Sequence, residues 1–333
     1  MRRVKAMRWN KIFLTCLLLC SVLLIAACRR AGIAGPTLQP TLTVTPRSTA
    51  LPTIEPTQTP GSEENPVVLL INRPVGPSNS ATNRATQAVE TTFLNDAELT
   101  VDVNTVDLSA DILAALCDVT SDDYITAWVD AMTFAAAQAL DCVEPLLQAT
   151  RGRGQTLTTG ETIHLYVLES STSRQVADFD ETACRVHVTD AQTWMYPSLL
   201  YTANGLNPLT AFENIQDYET PEALLEAMLE EECSIFGMSE STFEEEANGQ
   251  ARTSIVALTP SVEVPYAIFV VANNVPLTLR ESLTAAIMEM DGDSFETFIG
   301  AGGVQAYDPD TMDSLLDVLR SADYPLTQPI EGV

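Results

Sequence analysis

The chain is poor in positively charged residues, and it contains no lysine after Lys11. Lysine and arginine together number 17 against 45 acidic residues, so the formal net charge is −28. Proteins bind nucleic acids and anionic lipid surfaces through clusters of these two basic residues. The composition therefore argues against a nucleic-acid partner and against an electrostatic attachment of the body to a membrane.

Residues that commonly carry catalysis or hold metals are also scarce. The chain has two histidines, His164 and His187, and both fall in predicted strands. It has no Gly-x-Ser-x-Gly elbow, and the glycine-rich segment 300–303 lacks the Lys-Ser/Thr of a phosphate loop. The acidic runs 230–232 and 244–246 lack the spaced oxygen ligands and the glycine of a calcium loop, so we interpret them as solvated helix faces. No catalytic residue, cofactor or metal is predicted.

The first 28 residues have the organisation of an export signal. Basic residues occur up to Lys11, and an apolar run follows from Ile12 to Ala27. This run is short for a spanning helix, which needs ~20 apolar residues. Residues 24–28, Leu-Ile-Ala-Ala-Cys, resemble the lipobox of bacterial lipoproteins. We therefore predict a signal peptide over 1–27, a lipidated Cys28 and an extracytoplasmic body anchored to the cell membrane. An uncleaved N-terminal anchor is the alternative.

The segment that follows Cys28 is rich in threonine and proline. Thr-Pro steps recur, for example at Thr45-Pro46 and Thr59-Pro60, and few apolar residues are available for a core. Such a composition favours an extended chain without regular structure. We predict a disordered tether over 28–65.

From Pro66 onward, apolar strands alternate with helical patterns, which predicts an α/β fold with parallel sheets flanked by helices. The run Val67–Ile71 is apolar throughout, as in a strand that is buried on both faces. The remaining length is sufficient for two lobes. Strands are predicted at 67–71, 99–106, 124–128, 163–168, 185–188, 234–238, 254–258 and 267–271. Helices are predicted at 80–94, 110–117 with Ser109 as N-cap, 131–139, 221–231, 277–290 and 311–322, and one begins near Pro197.

Several stretches, in this order, resemble one known family. They are the strand Asp122–Trp128, the crossover Ile163–Glu169, the turn and helix start Val188–Pro197, the link Gly205–Pro208 and the return Leu258–Pro265. The body resembles the phosphate/phosphonate-type substrate-binding proteins of ABC importers. The resemblance implies the two-lobed, type 2 fold of periplasmic binding proteins, with a small-molecule ligand in the cleft, an ABC permease as partner and a monomeric state. It places lobe 1 at 66–165 plus 255–333 and lobe 2 at 166–254.

Four cysteines remain outside the signal and the lipidation site. An even number in an oxidising compartment suggests two disulfides, for which four cysteines allow three connectivities. Because each pair falls within one lobe implied by the resemblance, we favour Cys117–Cys142 and Cys184–Cys233. A zinc site is the alternative, although no Cys-x-x-Cys spacing supports it.

Four loops should face the cleft, because ligands in such sheets bind at the carboxyl ends of strands and at helix N-termini. In the resembled family the third loop carries hydroxyls that bind phosphonate oxygens. Here Thr193 keeps a hydroxyl, whereas Gln192 and Trp194 replace small residues. The sequence therefore does not identify the ligand. The predicted contacts are Arg73 and Ser78; Trp128 and Asp130; Gln192, Thr193, Trp194 and Tyr196; and Met238 and Ser239.

Two other functions are compatible with the same resemblance. One is an enzyme on this fold, as in relatives that make thiamine-pyrimidine precursors. The other is a ligand sensor that acts on a signalling partner. Turnover of a ligand without added partner would separate the enzyme from the receptor.

Overall fold

The computed structural model describes residues 59–72, 79–118, 123–152, 157–290 and 299–326. Residues Pro56–Val333 form one compact unit, and all features below lie within it. The predicted signal peptide, Cys28, the tether up to residue 58, and the candidate contacts Arg73 and Ser78 lie outside the described residues. Among the helices that are described, none is both long enough and apolar enough to cross a bilayer.

The regular elements form two groups of strands with helices around them. The strands are β1 (Val67–Asn72), β2 (Val101–Val106), β3 (Tyr124–Val129), β4 (Val143–Thr150), β5 (Gly160–Leu168), β6 (Thr182–Arg185), β7 (Asn214–Asp217), β8 (Ile235–Ser239), β9 (Ile255–Ala257), β10 (Val262–Pro265), β11 (Ile268–Ala272) and β12 (Gly303–Ala306). The helices are α1 (Asn79–Ala97), α2 (Ser109–Leu116), α3 (Ala131–Ala139), α4 (Tyr196–Ala203), α5 (Pro208–Ala211), α6 (Pro221–Leu229), α7 (Glu240–Glu246), α8 (Gly249–Ser254), α9 (Leu277–Glu289) and α10 (Asp313–Ser321). A π-helical turn, Ala191–Met195, leads directly into α4.

The first sheet has the strand order β12-β4-β11-β3-β1-β2. Strand β1 runs parallel to β2 and β3, as predicted, but β11 is antiparallel to both β3 and β4. The sequence predicted parallel sheets only. The difference arises because the chain leaves this sheet after β4 and returns at β11, which inserts between β4 and β3 in the opposite direction.

The second sheet has the order β10-β5-β8-β6-β7, and β9 also pairs with β5. Strand β6 pairs in parallel with β7 and β8, whereas β5 is antiparallel to β8, β9 and β10. This sheet therefore runs from Gly160 to Pro265, beyond the predicted lobe limits of 166 and 254. The division into lobes stays a prediction, and sheet membership favours the wider limits.

Two crossover segments connect the sheets and are hydrogen-bonded to each other. The backbone nitrogen of Tyr266 donates to the carbonyl of Thr159 at 2.9 Å, and that of Ala149 donates to the carbonyl of Ala267 at 2.8 Å. The chain therefore passes between the two sheets twice, at adjacent positions.

The core of the first sheet is formed by its central strands and by the helix that follows β3. Helix α3 has seven buried residues among its nine, from Ala131 to Ala137. Strand β11 is buried over its whole length. The structure contains the disulfides Cys117–Cys142 and Cys184–Cys233, the pairing that the lobe assignment favoured. Each bond stays within one sheet and its helices, so neither bond restrains the movement of one sheet relative to the other.

The predicted disordered tether, 28–65, is wrong for its last residues. Thr59–Asn65 form a turn in which the Gly61 nitrogen donates to the Asn65 carbonyl at 2.8 Å. The Thr100 nitrogen donates to the Gly61 carbonyl, also at 2.8 Å, which fixes the turn to the start of β2. Composition alone missed this, because the partner of the turn lies far along the chain.

Candidate ligand-binding site

The first group of polar side chains lies at the carboxyl ends of strands β1 and β3. Strand β1 ends at Asn72, and Asp130 directly follows β3. Asn72 Nδ2 donates to Ser109 Oγ at 2.9 Å, and Ser109 Oγ donates to Asp130 Oδ2 at 3.1 Å. Strand β1 pairs on one side with β2 and on the other side with β3. The strand order therefore reverses at β1, and open α/β sheets bind ligands at the carboxyl ends of strands where the order reverses.

Asp130 holds the N-terminus of α3 as well as facing the group. Its Oδ1 accepts from the Thr133 nitrogen at 2.9 Å, and its Oδ2 accepts from Thr133 Oγ1 at 2.7 Å. This is the bonding of a helix N-cap. The predicted N-cap role of Ser109 is wrong, because α2 begins at Ser109 itself after Leu108. The freed hydroxyl instead joins Asn72 to Asp130.

A cavity of about 250 Å³ opens beside this group, and we call it the cleft cavity. Asn72, Trp128 and Asp130 line it together with Pro265–Ala267 of the return crossover. Trp128 is 2 % exposed and packs at a tilt on Phe269, with ring centroids 5.3 Å apart. The predicted contacts Trp128 and Asp130 therefore both line the cleft cavity, although most of the Trp128 ring packs in the core, and their contact with a ligand stays a prediction.

Tyr266 of the return crossover was not predicted as a site residue. Its ring lies 4.3 Å from the guanidinium carbon of Arg151, and Arg151 forms an ion pair with Glu161 at the start of β5. A cation over an aromatic face is attracted by the ring. These contacts join the two crossovers at the rim of the cleft cavity.

The second group of polar side chains lies at the carboxyl ends of strands in the second sheet, around Gln192. Gln192 Nε2 donates to Glu161 Oε2 at 2.9 Å, and Gln192 Oε1 accepts from Thr242 Oγ1 at 2.9 Å. Ser239, the N-cap of α7, has its hydroxyl 3.2 Å from Gln192 Oε1. The predicted contacts Gln192 and Ser239 are therefore brought together, and Glu161 and Thr242 complete the group.

Three other predicted contacts, Thr193, Trp194 and Met238, are buried within the protein. Thr193 Oγ1 donates to Asp190 Oδ1 at 2.8 Å and accepts from the Val186 nitrogen at 2.9 Å. Trp194 is 1 % exposed, stacks under Arg185 at 4.4 Å and does not line the cleft cavity. Met238 is fully buried in the core of the second sheet. Their roles as ligand contacts stay predictions.

Tyr196 is buried, and its phenol is influenced by one carboxylate of each group. Its burial raises the pKa of the phenol, and the negative charges of Asp130 and Glu161 raise it further. Burial disfavours the phenolate, and nearby carboxylates add to that effect. Asp130 follows a strand of the first sheet, and Glu161 lies in a strand of the second sheet. Because both carboxylates raise the pKa of the same phenol, each of them must lie near Tyr196. This group favours a ligand part that donates hydrogen bonds or carries positive charge.

Among the residues that the structure describes, no cluster of histidine, cysteine and acidic side chains has the arrangement of a metal site. The cysteines for which a zinc site was the alternative form disulfides instead.

Comparison with known proteins identifies a family. Residues 78–315 match the family model described as ABC transporter, phosphonate, periplasmic substrate-binding protein. No curated protein matches the chain.

Solved structures agree on the fold. A Xanthomonas citri protein bound to ATP is 11% identical with a TM-score of 0.55, and the match covers 80% of this chain and 99% of that one. The same protein bound to chloride is 12% identical with a TM-score of 0.54, covering 77% and 97%. A binding protein component of an ABC phosphonate transporter from Pseudomonas aeruginosa is 14% identical with a TM-score of 0.50, covering 78% and 87%. The predicted α/β fold with two lobes is confirmed.

Proposed function

Because the chain belongs to the family of periplasmic substrate-binding proteins of phosphonate ABC transporters, we propose that it is a lipid-anchored receptor that captures a small polar ligand between its two sheets and delivers it to an ABC permease. The family places the body outside the cytoplasm. Ligand contacts from both sheets would stabilise the closed arrangement, since a ligand shifts such an equilibrium only through interactions that differ between the two states.

The observation that carries this proposal is the cleft cavity, which is lined by Asp130 after β3 of the first sheet and by Pro265, the last residue of β10 in the second sheet. The electrostatics of Tyr196 support it. Asp130 from the first sheet and Glu161 from the second both raise the pKa of its phenol. The cleft cavity of about 250 Å³ opens beside Asp130. A group bound to Asp130 and to the Gln192 side of the cleft would therefore bridge both sheets.

The described part of the cleft favours a particular ligand chemistry. Asn72 Oδ1 is buried and has no partner among the described residues, and Asp130 adds a carboxylate. Both are acceptors. A ligand that places an ammonium group against Asp130 and an acidic group elsewhere would fit this arrangement and the family. Arg73, predicted as an anion contact, lies outside the described residues.

Calorimetric titration tests this ligand preference on the purified full chain. The probes are 2-aminoethylphosphonate, methylphosphonate and ethanolamine, which separate the ammonium from the phosphonate. We expect 2-aminoethylphosphonate to bind at least about tenfold more tightly than methylphosphonate, because its ammonium group can make a charge-assisted hydrogen bond.

Asp130→Asn should remove most of that difference in affinity, because asparagine keeps the helix cap and loses the charge. Thr220→Ala, which removes the N-cap of α6 in the second sheet, is the control. Tighter binding of methylphosphonate would contradict the proposed chemistry.

The anchor and the monomeric state belong to the same proposal. Lipidation of Cys28 would hold the body at the cell membrane, with the Thr/Pro segment as a spacer. Cys28→Ser should release the protein into the soluble fraction and abolish the incorporation of a labelled fatty acid. Light scattering of the released chain should give the mass of one copy. Membrane retention of the serine variant would point to an uncleaved anchor.

We also propose that the ligand is released unchanged. His187 Nδ1 contacts Thr189 Oγ1 at 2.9 Å, in a turn beyond β6, and does not line the cleft cavity. His164 lies in β5 and packs edge-on against Tyr166. Mass spectrometry of a bound ligand after prolonged incubation should recover it intact, whereas a product would favour the enzyme alternative.

A further inference from the structure

A second cavity, of about 220 Å³, shares no lining residue with the cleft cavity, and we call it the α4 cavity. Trp194, Ser198 and Thr202 line it along one stripe of the π-helical turn and helix α4, since residues four apart in a helix lie on the same face. Leu199 and Pro208 add apolar walls, and Met132 of α3, Ala322 and Tyr324 also line it.

Two buried polar atoms of residues that line the α4 cavity have no hydrogen-bond partner among the described residues. They are Nε1 of Trp194, which is 1 % exposed, and Oγ of Ser198, which is 8 % exposed. Two other polar side chains of the lining do make hydrogen bonds: Thr202 Oγ1 donates to the Ser198 carbonyl at 2.8 Å, and Asn207 Oδ1 accepts from the Leu209 nitrogen at 3.1 Å. Buried donors without partners are rare and carry the full penalty of losing water, so a pair of them in neighbouring residues beside one cavity points to a missing acceptor.

We propose that the α4 cavity binds a small uncharged molecule with a carbonyl oxygen, which accepts from Trp194 Nε1 and Ser198 Oγ. A carbonyl oxygen has two lone pairs, which suits two donors. An apolar cavity of ~150 Å³ accommodates benzene, so about 220 Å³ admits a slightly larger molecule. A carboxylate fits less well, because the guanidinium nearest Trp194, that of Arg185, lies on the ring face and pairs with Asp217 at 2.6 Å.

The occupant would contact both halves of the molecule. Met132 belongs to the helix that follows β3 of the first sheet, whereas Trp194 and Ser198 belong to the segment that follows β6 of the second sheet. This site is independent of the ligand proposed for the cleft cavity, and it does not use Asp130, Gln192 or Tyr266.

The test uses the full chain in phospholipid nanodiscs, with tryptophan labelled by ¹⁵N at the indole nitrogen. The chain has three tryptophans, and Trp194→Phe assigns the relevant signal. The probes are acetophenone and α-methylstyrene, which have nearly the same shape but differ in the carbonyl oxygen. Benzoate is the charged probe, and empty nanodiscs correct for partition into lipid.

We expect acetophenone to shift the Trp194 indole signal saturably. Each hydrogen bond to its carbonyl oxygen should tighten its binding about fivefold relative to α-methylstyrene, which has no carbonyl. Ser198→Ala should weaken acetophenone about fivefold and leave α-methylstyrene unchanged. Ser282→Ala, which removes an exposed hydroxyl on α9, is the matched control and should change neither affinity.

Ala322→Leu should fill the α4 cavity and abolish binding of both probes. Three results would each overturn the proposal: no saturable shift of the Trp194 signal with acetophenone, equal affinities for the two shape-matched probes, or tighter binding of benzoate than of acetophenone.

Discussion

Gln192 Nε2 donates a 2.9 Å hydrogen bond to Glu161 Oε2, and this contact ties the turn before α4 to the first strand of the second sheet. The two residues are 31 positions apart in the chain. Because Gln192 Oε1 also accepts from Thr242 Oγ1 at 2.9 Å, one side chain organises this side of the cleft.

Gln192→Glu should destabilise the protein by about 1–3 kcal/mol near pH 7, because the new carboxylate cannot donate and lies against Glu161. Urea unfolding measures this loss. The loss should shrink as the pH falls toward ~4, where one carboxyl of the pair takes up a proton. Gln192→Met, which removes both hydrogen bonds without adding charge, should lack that pH dependence. Equal behaviour of the two variants across pH would show that charge plays no part.

The sequence predicted the central elements well, because their signals are local. Helix α3 has the predicted bounds 131–139, and β1 and β3 match the apolar runs 67–71 and 124–128 to within one residue. Strands β4, β7, β10 and β12 were not predicted. These strands carry polar residues or proline, as at Pro145 in β4, and they form through pairing with strands that are distant in the chain.

The rule that ligands bind at the carboxyl ends of strands led to three of the predicted contacts, whose roles stay predictions. Asp130 directly follows β3, Ser239 ends β8, and Gln192 lies in the π-helical turn beyond β6. All three meet polar partners. Glu161 and Tyr266 were not predicted, because they lie just outside the predicted crossover segments 163–169 and 258–265 and no motif marks them. Predicted strand 185–188 was also wrong: β6 is Thr182–Arg185, in register with β7, which was itself missed. His187 therefore lies in a turn.

Asp130→Ala should lower the free energy of unfolding by about 1–2 kcal/mol, because it removes the N-cap of α3. Asp130→Asn should lower it much less, since the amide oxygen can still accept from the Thr133 nitrogen. Chemical denaturation of both variants measures the difference. If the two variants lose equal stability, the charge of Asp130 matters more than its capping bond.

Gly237→Ala should displace the start of α4. A Cβ at position 237 would collide with the ring of Pro197, with Leu165 behind it. We expect a loss of about 1–3 kcal/mol, as for overpacking in a core, and weaker binding in the cleft, because α4 follows the turn that carries Gln192. Gly249→Ala is the control, since a Cβ there meets nothing within 4 Å. A Gly237→Ala variant with the stability and affinity of the parent would show that Pro197 moves freely.

Each disulfide should stabilise the protein, and the longer loop slightly more. The bonds join residues 25 and 49 positions apart. Loop-closure entropy predicts about 3–4 kcal/mol for each bond, with roughly 0.6 kcal/mol more for the longer loop. Unfolding of the double variants Cys117→Ala/Cys142→Ala and Cys184→Ala/Cys233→Ala measures both values. Ligand affinity should survive in each folded variant, because neither bond crosses between the sheets.

Alkaline pH should unfold the protein through its buried tyrosines. Burial raises the pKa of Tyr201, and it raises that of Tyr307 to about 12, with Asp308 and Asp313 adding to the effect. A phenol pKa that is higher in the folded state gives stability that is fully present below the unfolded value of ~10 and is lost as the pH rises above it. Each such tyrosine contributes a decline of up to ~1.4 kcal/mol per pH unit.

Urea unfolding at a series of pH values from about 8 to about 11.5 measures this decline. Tyr201→Phe keeps the edge-on contact with Phe212, whose ring centroid is 5.1 Å away, and should decline less steeply than the parent above pH ~10. Parallel curves for the parent and Tyr201→Phe would mean that the Tyr201 phenol reaches solvent in the folded state. The pKa of Tyr196 is raised by Asp130 and Glu161 as well as by burial. Asp130→Asn should therefore lower the pKa of this phenol in the folded state. The folded and unfolded pKa values then differ less, so the onset of alkaline unfolding should move to slightly higher pH.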